Sequence, residues 1–242
     1  MELSKRLQAV TDLISQGTSV ADIGCDHGYV SIALVQRGIS QRVLAMDVNT
    51  GPLERAQEHI RQYGMEAYIE TKLSDGLAYL LTEEGKSRKV DTLLMAGMGG
   101  RLMIHILQEG KPISEQTAEW ILQPQSEISL VRQYIRTQQY HISEENMVLE
   151  DGKYYVMMKA EPKQLPGTVS LIPMQLCDAY GEYLLQNQHP VLRQYLYARR
   201  THLLGLMQTL TEEGKPSAKL VTRLSELTQE AAQIELALTY FT

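Results

Sequence analysis

The stretch Val20-Ala21-Asp22-Ile23-Gly24-Cys25-Asp26-His27-Gly28-Tyr29 decides the fold. It opens as a short apolar run, passes through Gly24 and Gly28, and leads into helical spacing over Tyr29–Arg37. A strand, a glycine turn and a helix in that order begin a βαβ unit. Glycine in such a turn lets the backbone pass close to a ligand. The free N–H groups at the start of the helix point toward it. The usual pattern is acidic-x-Gly-x-Gly-x-Gly, and here Asp26 takes the place of the middle glycine. An aspartate beside a diphosphate is repelled, whereas a ligand ending in an amino acid and a sulfonium is attracted to Asp22 and Asp26. That turns the reading away from a nicotinamide dinucleotide. A glycine-rich loop alone is a weak signal; a tight turn with no ligand is the plain alternative.

Outward from this stretch, strand-like runs recur at Arg42–Val48, Ala67–Leu73, Val90–Ala96 and Glu119–Leu122, after the first at Ser19–Cys25. Between them the spacing predicts helices over Pro52–Tyr63, Gly76–Leu81, Leu102–Gln108 and Ile128–Gln139, and a leading helix over Leu3–Ile14. Alternating strands and helices imply a parallel sheet with right-handed crossovers. The alternation then stops. His141–Leu149 and Lys153–Ala160 are two strand-like runs joined through Asp151-Gly152, a β-hairpin signal. A parallel sheet closed by an antiparallel hairpin departs from the dehydrogenase plan, which continues with βαβ units. It is the arrangement of Rossmann-like methyltransferases. The fold class is therefore α/β, with a Rossmann-like domain over residues 1–161.

Residues 162–242 form a second region. It begins with a proline-bearing linker to Pro173. Leu220, Leu224, Leu227, Ala231, Ile234 and Leu238 then follow heptad spacing, as do Leu192, Leu196, Leu203, Leu206 and Leu210, with Gly214-Lys215-Pro216 between the two stripes. The expectation is an α-helical antiparallel coiled coil; a structural cap on the sheet is the alternative.

Two further sites support a nucleoside pocket. Asp47 ends the second strand, 19 residues after Gly28, where a carboxylate takes both ribose hydroxyls. Asp75-Gly76 follows the third strand, where an acid accepts from an adenine amino group and the Gly76 N–H reaches a ring nitrogen. Each has a plain reading, a helix-start acid for Asp47 and an ordinary turn for Ser74-Asp75-Gly76. In order after strands one, two and three they converge on one ligand, S-adenosyl-L-methionine. After the fourth strand come Gly97, Gly99 and Gly100, which allow a base to approach closely. After the fifth, Gln123 offers a carbonyl and an amide to a base edge.

The net charge is −6, with 43% hydrophobic and 21% charged residues. A negative total gives a nucleic-acid partner no general help, so RNA binding must rest on local patches. Arg193, Arg199, Arg200 and His202, then Lys215, Lys219 and Arg223, could form a basic stripe on the helical region, or merely a solvated face. No apolar run is long enough to span a bilayer, and Met1–Arg6 lacks the apolar core of a signal peptide. Two distant cysteines suggest no disulfide framework and a cytoplasmic setting. No metal site is expected, because Cys25, Asp26 and His27 have no second ligand cluster. The sequence leaves the oligomeric state open.

Asp22-Ile23-Gly24-x-Asp26-His27-x-Tyr29, Ala96-Gly97-Met98-Gly99-Gly100 and Ile121-Leu122-Gln123-Pro124 together resemble the bacterial tRNA (adenine-N1)-methyltransferases of the TrmK type, and the likeness runs over the whole chain. It implies a Rossmann-like domain, bound S-adenosyl-L-methionine, and a C-terminal coiled coil that helps hold tRNA, with methylation at N1 of the D-loop adenine at tRNA position 22. By the same likeness Asp22, Gly24, Asp26, His27, Asp47, Asp75, Gly76, Ala96 and Gly97 fall on the cofactor side, joined by Gly28 from the glycine turn. Adenine N1 has a lone pair, so the chemistry calls for orientation and for stabilising positive charge on the ring. Asp26 and the Gln123 carbonyl are the candidates for the charge, and Tyr29 for stacking on the base. His27 reads as structural or cofactor-lining. The rivals are a small-molecule methyltransferase and a non-enzymatic scaffold of the same fold.

Overall fold

Strand order places the site. In the computed structural model, which describes residues 3–163, 170–213 and 217–241, one sheet runs β3-β2-β1-β4-β5-β7-β6. The strands are β1 (Val20–Ile23), β2 (Val43–Asp47), β3 (Ile69–Leu73), β4 (Thr92–Met98), β5 (Glu119–Pro124), β6 (Tyr140–Glu150) and β7 (Lys153–Pro162). β1 to β5 are parallel; β7 runs antiparallel to both β5 and β6. β1, β2 and β5 are buried along their whole length, as strands covered on both faces must be. The order reverses between β1 and β4, and open α/β sheets bind ligands at that switch, beyond the strands' carboxyl ends. Asp151 and Gly152, between β6 and β7, have φ of 49° and 73°, the two left-handed residues of a type I′ turn.

The helices of this region are α1 (Lys5–Asp12), α2 (Tyr29–Gln36), α3 (Thr50–Gln62), α4 (Glu83–Lys86), α5 (Gly100–Glu109), α6 (Lys111–Ser114) and α7 (Ile128–Thr137). The helix expected over Gly76–Leu81 is instead a short 3-10 turn at Ala78–Leu81 followed by α4. Gly76 is left-handed at φ 51°, and Ser74 Oγ takes the Tyr79 N–H, so the segment never enters α geometry. Thr82 then caps α4 through the Gly85 N–H. α5 begins at Gly100, two residues before the expected start, and α6 was not legible as a separate helix.

The far end of the sheet is fixed by a buried charge. The Glu119 carboxylate accepts from the Ser15 N–H and Oγ (3.0 and 2.6 Å) and from Thr92 Oγ1 (2.8 Å), and pairs with Lys159 Nζ at 2.9 Å. With every lone pair answered, the charge is tolerated in the core, and it ties the end of α1 to β4, β5 and β7. α1 starts with Ser4 accepting the Leu7 N–H.

The chain divides into two compact units, Met1–Thr168 and Val169–Thr242, and β7 runs one residue past the expected boundary at 161. The second unit holds α8 (Met174–Tyr180), α9 (Glu182–Gln186), α10 (Pro190–Glu213) and α11 (Ala218–Leu238). α10 and α11 lie side by side. Leu192, Leu196 and Leu203 of the first stripe are buried, as are Leu227, Ile234 and Ala237 from α11. Arg199 of α10 grips Glu230 of α11 through Nε and Nη2 at 2.6 and 3.0 Å.

Candidate functional site

Asp47 joins the three loops. Each of its carboxylate oxygens accepts one backbone N–H: Oδ2 from Asp26 at 3.3 Å and Oδ1 from Asn49 at 2.9 Å. Its carbonyl accepts the Ser74 N–H at 2.9 Å. The loop after β1 and the loop after β3 are thus both bonded to the last residue of β2. Gly24 and Cys25 both donate to the Met46 carbonyl, which fastens the glycine turn from below. A carboxylate oxygen has two lone pairs, so both oxygens of Asp47 keep capacity for a diol.

The glycines are needed for two separate reasons. Gly24 (φ 73°) and Gly28 (φ 71°) are left-handed. A Cβ on Gly24 would lie 2.9 Å from Met98 Cε, and one on Gly28 would lie 3.1 Å from Ala56 Cβ, so the turn is pressed against β4 on one side and α3 on the other. Asp26, the residue in place of the middle glycine, is also left-handed at φ 49°, which aspartate tolerates better than most residues. Its side chain is 64% exposed, 3.7 Å from His27 Nε2 and 3.8 Å from Arg55 Nη2.

Asp22 lies beneath this turn, buried, with its carboxylate accepting from Ser31 Oγ at 2.7 Å. Burial pushes its pKa up to about 6; the Ser31 hydrogen bond opposes this and the charge of Asp47 adds to it. A raised carboxyl is destabilising when ionised. Asp22 therefore contributes a loss of stability as pH rises from about 4 to about 6, by roughly 3 kcal/mol in all, and its contribution persists above that range. Asp22→Asn, which keeps an acceptor for Ser31, is expected to raise stability at pH 7 by a large part of that amount and to flatten the profile between pH 4 and 6. Urea unfolding at pH 4.5 and 7 checks this; an unchanged or lowered midpoint at pH 7 contradicts it. A cationic group beside Asp22 would reverse the penalty.

His27, Tyr29 and His59 form a ring cluster at the mouth. Tyr29 stacks on His59 with centroids 4.7 Å apart, and His27 on Tyr29 at 5.6 Å. His59 Nδ1 meets the His27 carbonyl at 2.9 Å. A carbonyl only accepts, so Nδ1 carries the proton, and in the neutral ring Nε2 accepts from the Tyr29 hydroxyl at 3.4 Å. Tyr29 is 37% exposed. His27 Nδ1 is buried with no hydrogen-bond partner among the described residues.

The ends of β4 and β5 close the other side. Ala96 and Gly97 lie at a bulge in β4, with Gly97 at φ 82°. Asp75 is exposed, and Gly76 stands against Ile106 of α5, with 3.0 Å between that side chain and a Cβ position. The Gln123 side chain is not free. It is fully buried; its Oε1 accepts from Arg6 Nη1 at 2.7 Å and its Nε2 donates to the Pro124 carbonyl at 3.2 Å. Its amide is engaged within the protein, unlike the free base-reading group expected from the sequence. Asp22, Gly24, Asp26, His27, Gly28, Asp47, Asp75, Gly76, Ala96 and Gly97 lie in loops or toward strand ends at the carboxyl edge of the sheet, and Tyr29 opens α2 beside them. His59 and Arg6 were missed by sequence reasoning.

This edge carries a carboxylate below the turn, one at its tip, one at the end of β2 and one after β3. A cationic amino-acid ligand suits such a set and a diphosphate does not. The family described as "Methyltransferase domain" matches residues 3–158. The chain belongs to that methyltransferase family. Over 95% of its length it is 28% identical to the tRNA (adenine(22)-N(1))-methyltransferase of Bacillus subtilis (strain 168), covering 97% of that protein. The crystal structure of the Bacillus subtilis m1A22 tRNA methyltransferase TrmK superposes with a TM-score of 0.82 at 26% identity, over 98% of this chain and 99% of that one. The Streptococcus pneumoniae protein Sp1610, solved in complex with S-adenosyl-L-methionine, superposes with a TM-score of 0.81 at 28% identity, over 98% and 100%. These full-length likenesses make the chain a methyltransferase of the TrmK type.

The residues of this methyltransferase fit S-adenosyl-L-methionine, the cofactor of the family. Asp47 has spare lone pairs for a ribose, and His27 Nδ1 is buried with no hydrogen-bond partner among the described residues. Among the described residues no group of three or more His, Cys, Asp or Glu could hold a metal ion, and no helix is long and apolar enough to cross a membrane.

Three residues of the expected basic stripe on the second unit are ion-paired, whereas Arg193 lies over the Tyr197 ring. Arg199 pairs with Glu230, Arg200 with Glu235 at 3.4 Å, and Arg223 with Glu226 at 2.9 Å. Lys215 lies outside the described residues.

Proposed function

We propose that this methyltransferase transfers a methyl group from S-adenosyl-L-methionine to N1 of the D-loop adenine at position 22 of tRNA. One observation carries the reading: Asp47 bonds the loops after β1, β2 and β3 together, in a chain alike over its full length to enzymes named for that reaction.

Asp47 would hold the ribose hydroxyls, and Asp75 with the Gly76 N–H the adenine. Asp22, Gly24, Gly28 and His27 would surround the amino-acid end, with Ala96 and Gly97 alongside. When bound, the cofactor supplies an electrophilic methyl group on a sulfonium centre. The chain supplies orientation, which contributes up to roughly 7–11 kcal/mol in well-aligned reactions. No side chain needs to remove a proton from adenine N1. Extruding the base from its stack costs a few kcal/mol, and the exposed face of Tyr29, held by His59, offers a surface to receive it. Positive charge arising on the base would be stabilised by the exposed Asp26 carboxylate, which lies beside His27. Gln123 acts through its main-chain carbonyl and through Arg6.

In this reading residues 1–161 are the catalytic domain, working in the cytoplasm where tRNA matures. The remainder is a linker and an antiparallel coiled coil, supported by the buried stripe residues and the Arg199–Glu230 pair. The test uses the full chain, labelled cofactor and tRNA transcripts carrying adenine or guanine at position 22. Label in 1-methyladenosine from the adenine transcript alone is expected. Equal labelling of both transcripts, or transfer only to small molecules, refutes the reading. A scaffold would fail even to bind S-adenosylhomocysteine in a calorimeter.

A further inference from the structure

The guanidinium of Arg6, on α1, reaches the carboxyl ends of β4 and β5. Its Nη1 donates to Gln123 Oε1 at 2.7 Å, and its Cζ lies 5.5 Å from the centre of the Tyr155 ring. These partners are a neutral amide and an aromatic face; neither answers the positive charge. A guanidinium has five N–H donors, so most remain available. Arg6 Nη1 also stands 3.5 Å from the point where a Cβ on Gly97 would sit, and Gln125 Nε2 stands 3.7 Å from the same point. Two nitrogen donors from different elements thus converge over the bulge in β4, where the missing side chain leaves space. Gln125 is exposed, so this niche is open to solvent.

Charge says what belongs there. Asp22 in β1, Asp47 at the end of β2, and Asp26 and Asp75 in the loops after β1 and β3 make that side unfavourable for a phosphate. On the second unit Arg199, Arg200 and Arg223 are held by glutamates. Arg6 is a partly buried cation whose planar fork matches phosphate oxygens. It is held in place by Gln123 and Tyr155, and α1 itself is anchored by the Ser4 cap and by the contacts of Arg37 with Thr11 and Asp12. An immobilised guanidinium loses little freedom on binding.

We propose that Arg6 binds a phosphodiester of the RNA strand beside the target adenine, with Gln125 as the second donor and buried Gln123 as the bracket that aims the guanidinium. The proposal rests on the tRNA reading above and names how that site grips its substrate. Holding the backbone beside an extruded nucleotide fixes the approach of the base, so Arg6 works on substrate position and the cofactor cradle is untouched.

The full chain is compared as wild type, Arg6→Met and Arg6→Lys, with tRNA transcripts at about 50 to 200 mM salt. Methionine keeps an apolar stem over Tyr155 and removes the charge. Arg6→Met is expected to raise KM for tRNA about tenfold, the loss of one charged contact. S-adenosylhomocysteine affinity should stay within about twofold of wild type. The slope of log kcat/KM against log salt should become shallower by about 0.7–1, the share of one phosphate. Arg6→Lys should restore the slope and only part of kcat/KM, since lysine lacks the fork. Arg6→Met with a lowered melting temperature but wild-type tRNA KM and salt slope overturns the proposal, leaving Arg6 a brace for Gln123. If Arg6→Met does not fold, Arg6→Lys decides: wild-type kcat/KM for tRNA overturns the proposal, and a drop with cofactor affinity unchanged supports it. A wild type that binds S-adenosylhomocysteine but methylates no tRNA overturns the parent reading and this one with it. A wild type that methylates tRNA, with Arg6→Met indistinguishable from it, overturns this one alone.

Discussion

Asp47→Asn is expected to weaken S-adenosylhomocysteine binding by roughly 100-fold while leaving the fold intact. The carboxylate accepts Asp26 N–H on one oxygen and Asn49 N–H on the other. An asparagine has one oxygen, so its NH2 must face one of these donors or turn toward the ribose. Facing a backbone N–H, donor meets donor; facing the ribose, the NH2 can only donate where the carboxylate accepted, and the charge that strengthens bonds to two hydroxyls is gone. Hydrogen bonds to charged groups contribute about 1.5–3 kcal/mol each, and a loss of about 3 kcal/mol is about two decades in affinity. Calorimetry gives the affinity, and a melting curve shows whether the three loops still hold together. A folded Asp47→Asn protein that binds within about threefold of wild type would place the adenosyl group elsewhere.

The parts of this site legible in the sequence are those set by local rules. Gly24, Gly28, Asp47 and Asp75-Gly76 follow strand ends, and a strand end followed by a turn residue can be read from a few neighbouring letters. The Asp151-Gly152 turn and the apolar runs of β1 to β5 are equally local. What was not legible depends on contacts between distant segments. Arg6 and Gln123 are 117 residues apart, and nothing near either one announces the other. Gln123 looked like a base reader because its place in the strand was right; that its amide is turned inward depends on α1 arriving over β5. His59 sits on the face of an ordinary helix, and only the fold brings it against Tyr29. The segment after Gly76 failed for a different reason. Its residues suit a helix, but Ser74 Oγ captures the Tyr79 N–H and diverts it into a 3-10 turn.

A second large effect should come from the opposite flank of the sheet. Arg132 of α7 and Glu145 of β6 are both buried, with Nε to Oε1 at 2.8 Å. Removing one partner takes away a buried charge-assisted bond, and breaking such a pair costs about 3–5 kcal/mol. Glu145→Leu should therefore lower the melting temperature by roughly 6–20 °C for a chain of this size. Arg132→Met combined with Glu145→Leu replaces both charges with apolar groups and should recover most of that loss, because a buried pair gains little over well-packed hydrophobic residues. The consequence reaches the site through the chain: α7 follows directly on the segment carrying Gln125, so loosening its hold on β6 should raise KM for tRNA in the single variant before it alters cofactor affinity. If the double variant is no more stable than Glu145→Leu, the side chains are specifying geometry that apolar residues do not reproduce. If Glu145→Leu melts with wild type, the pair is not what clamps α7 to the sheet.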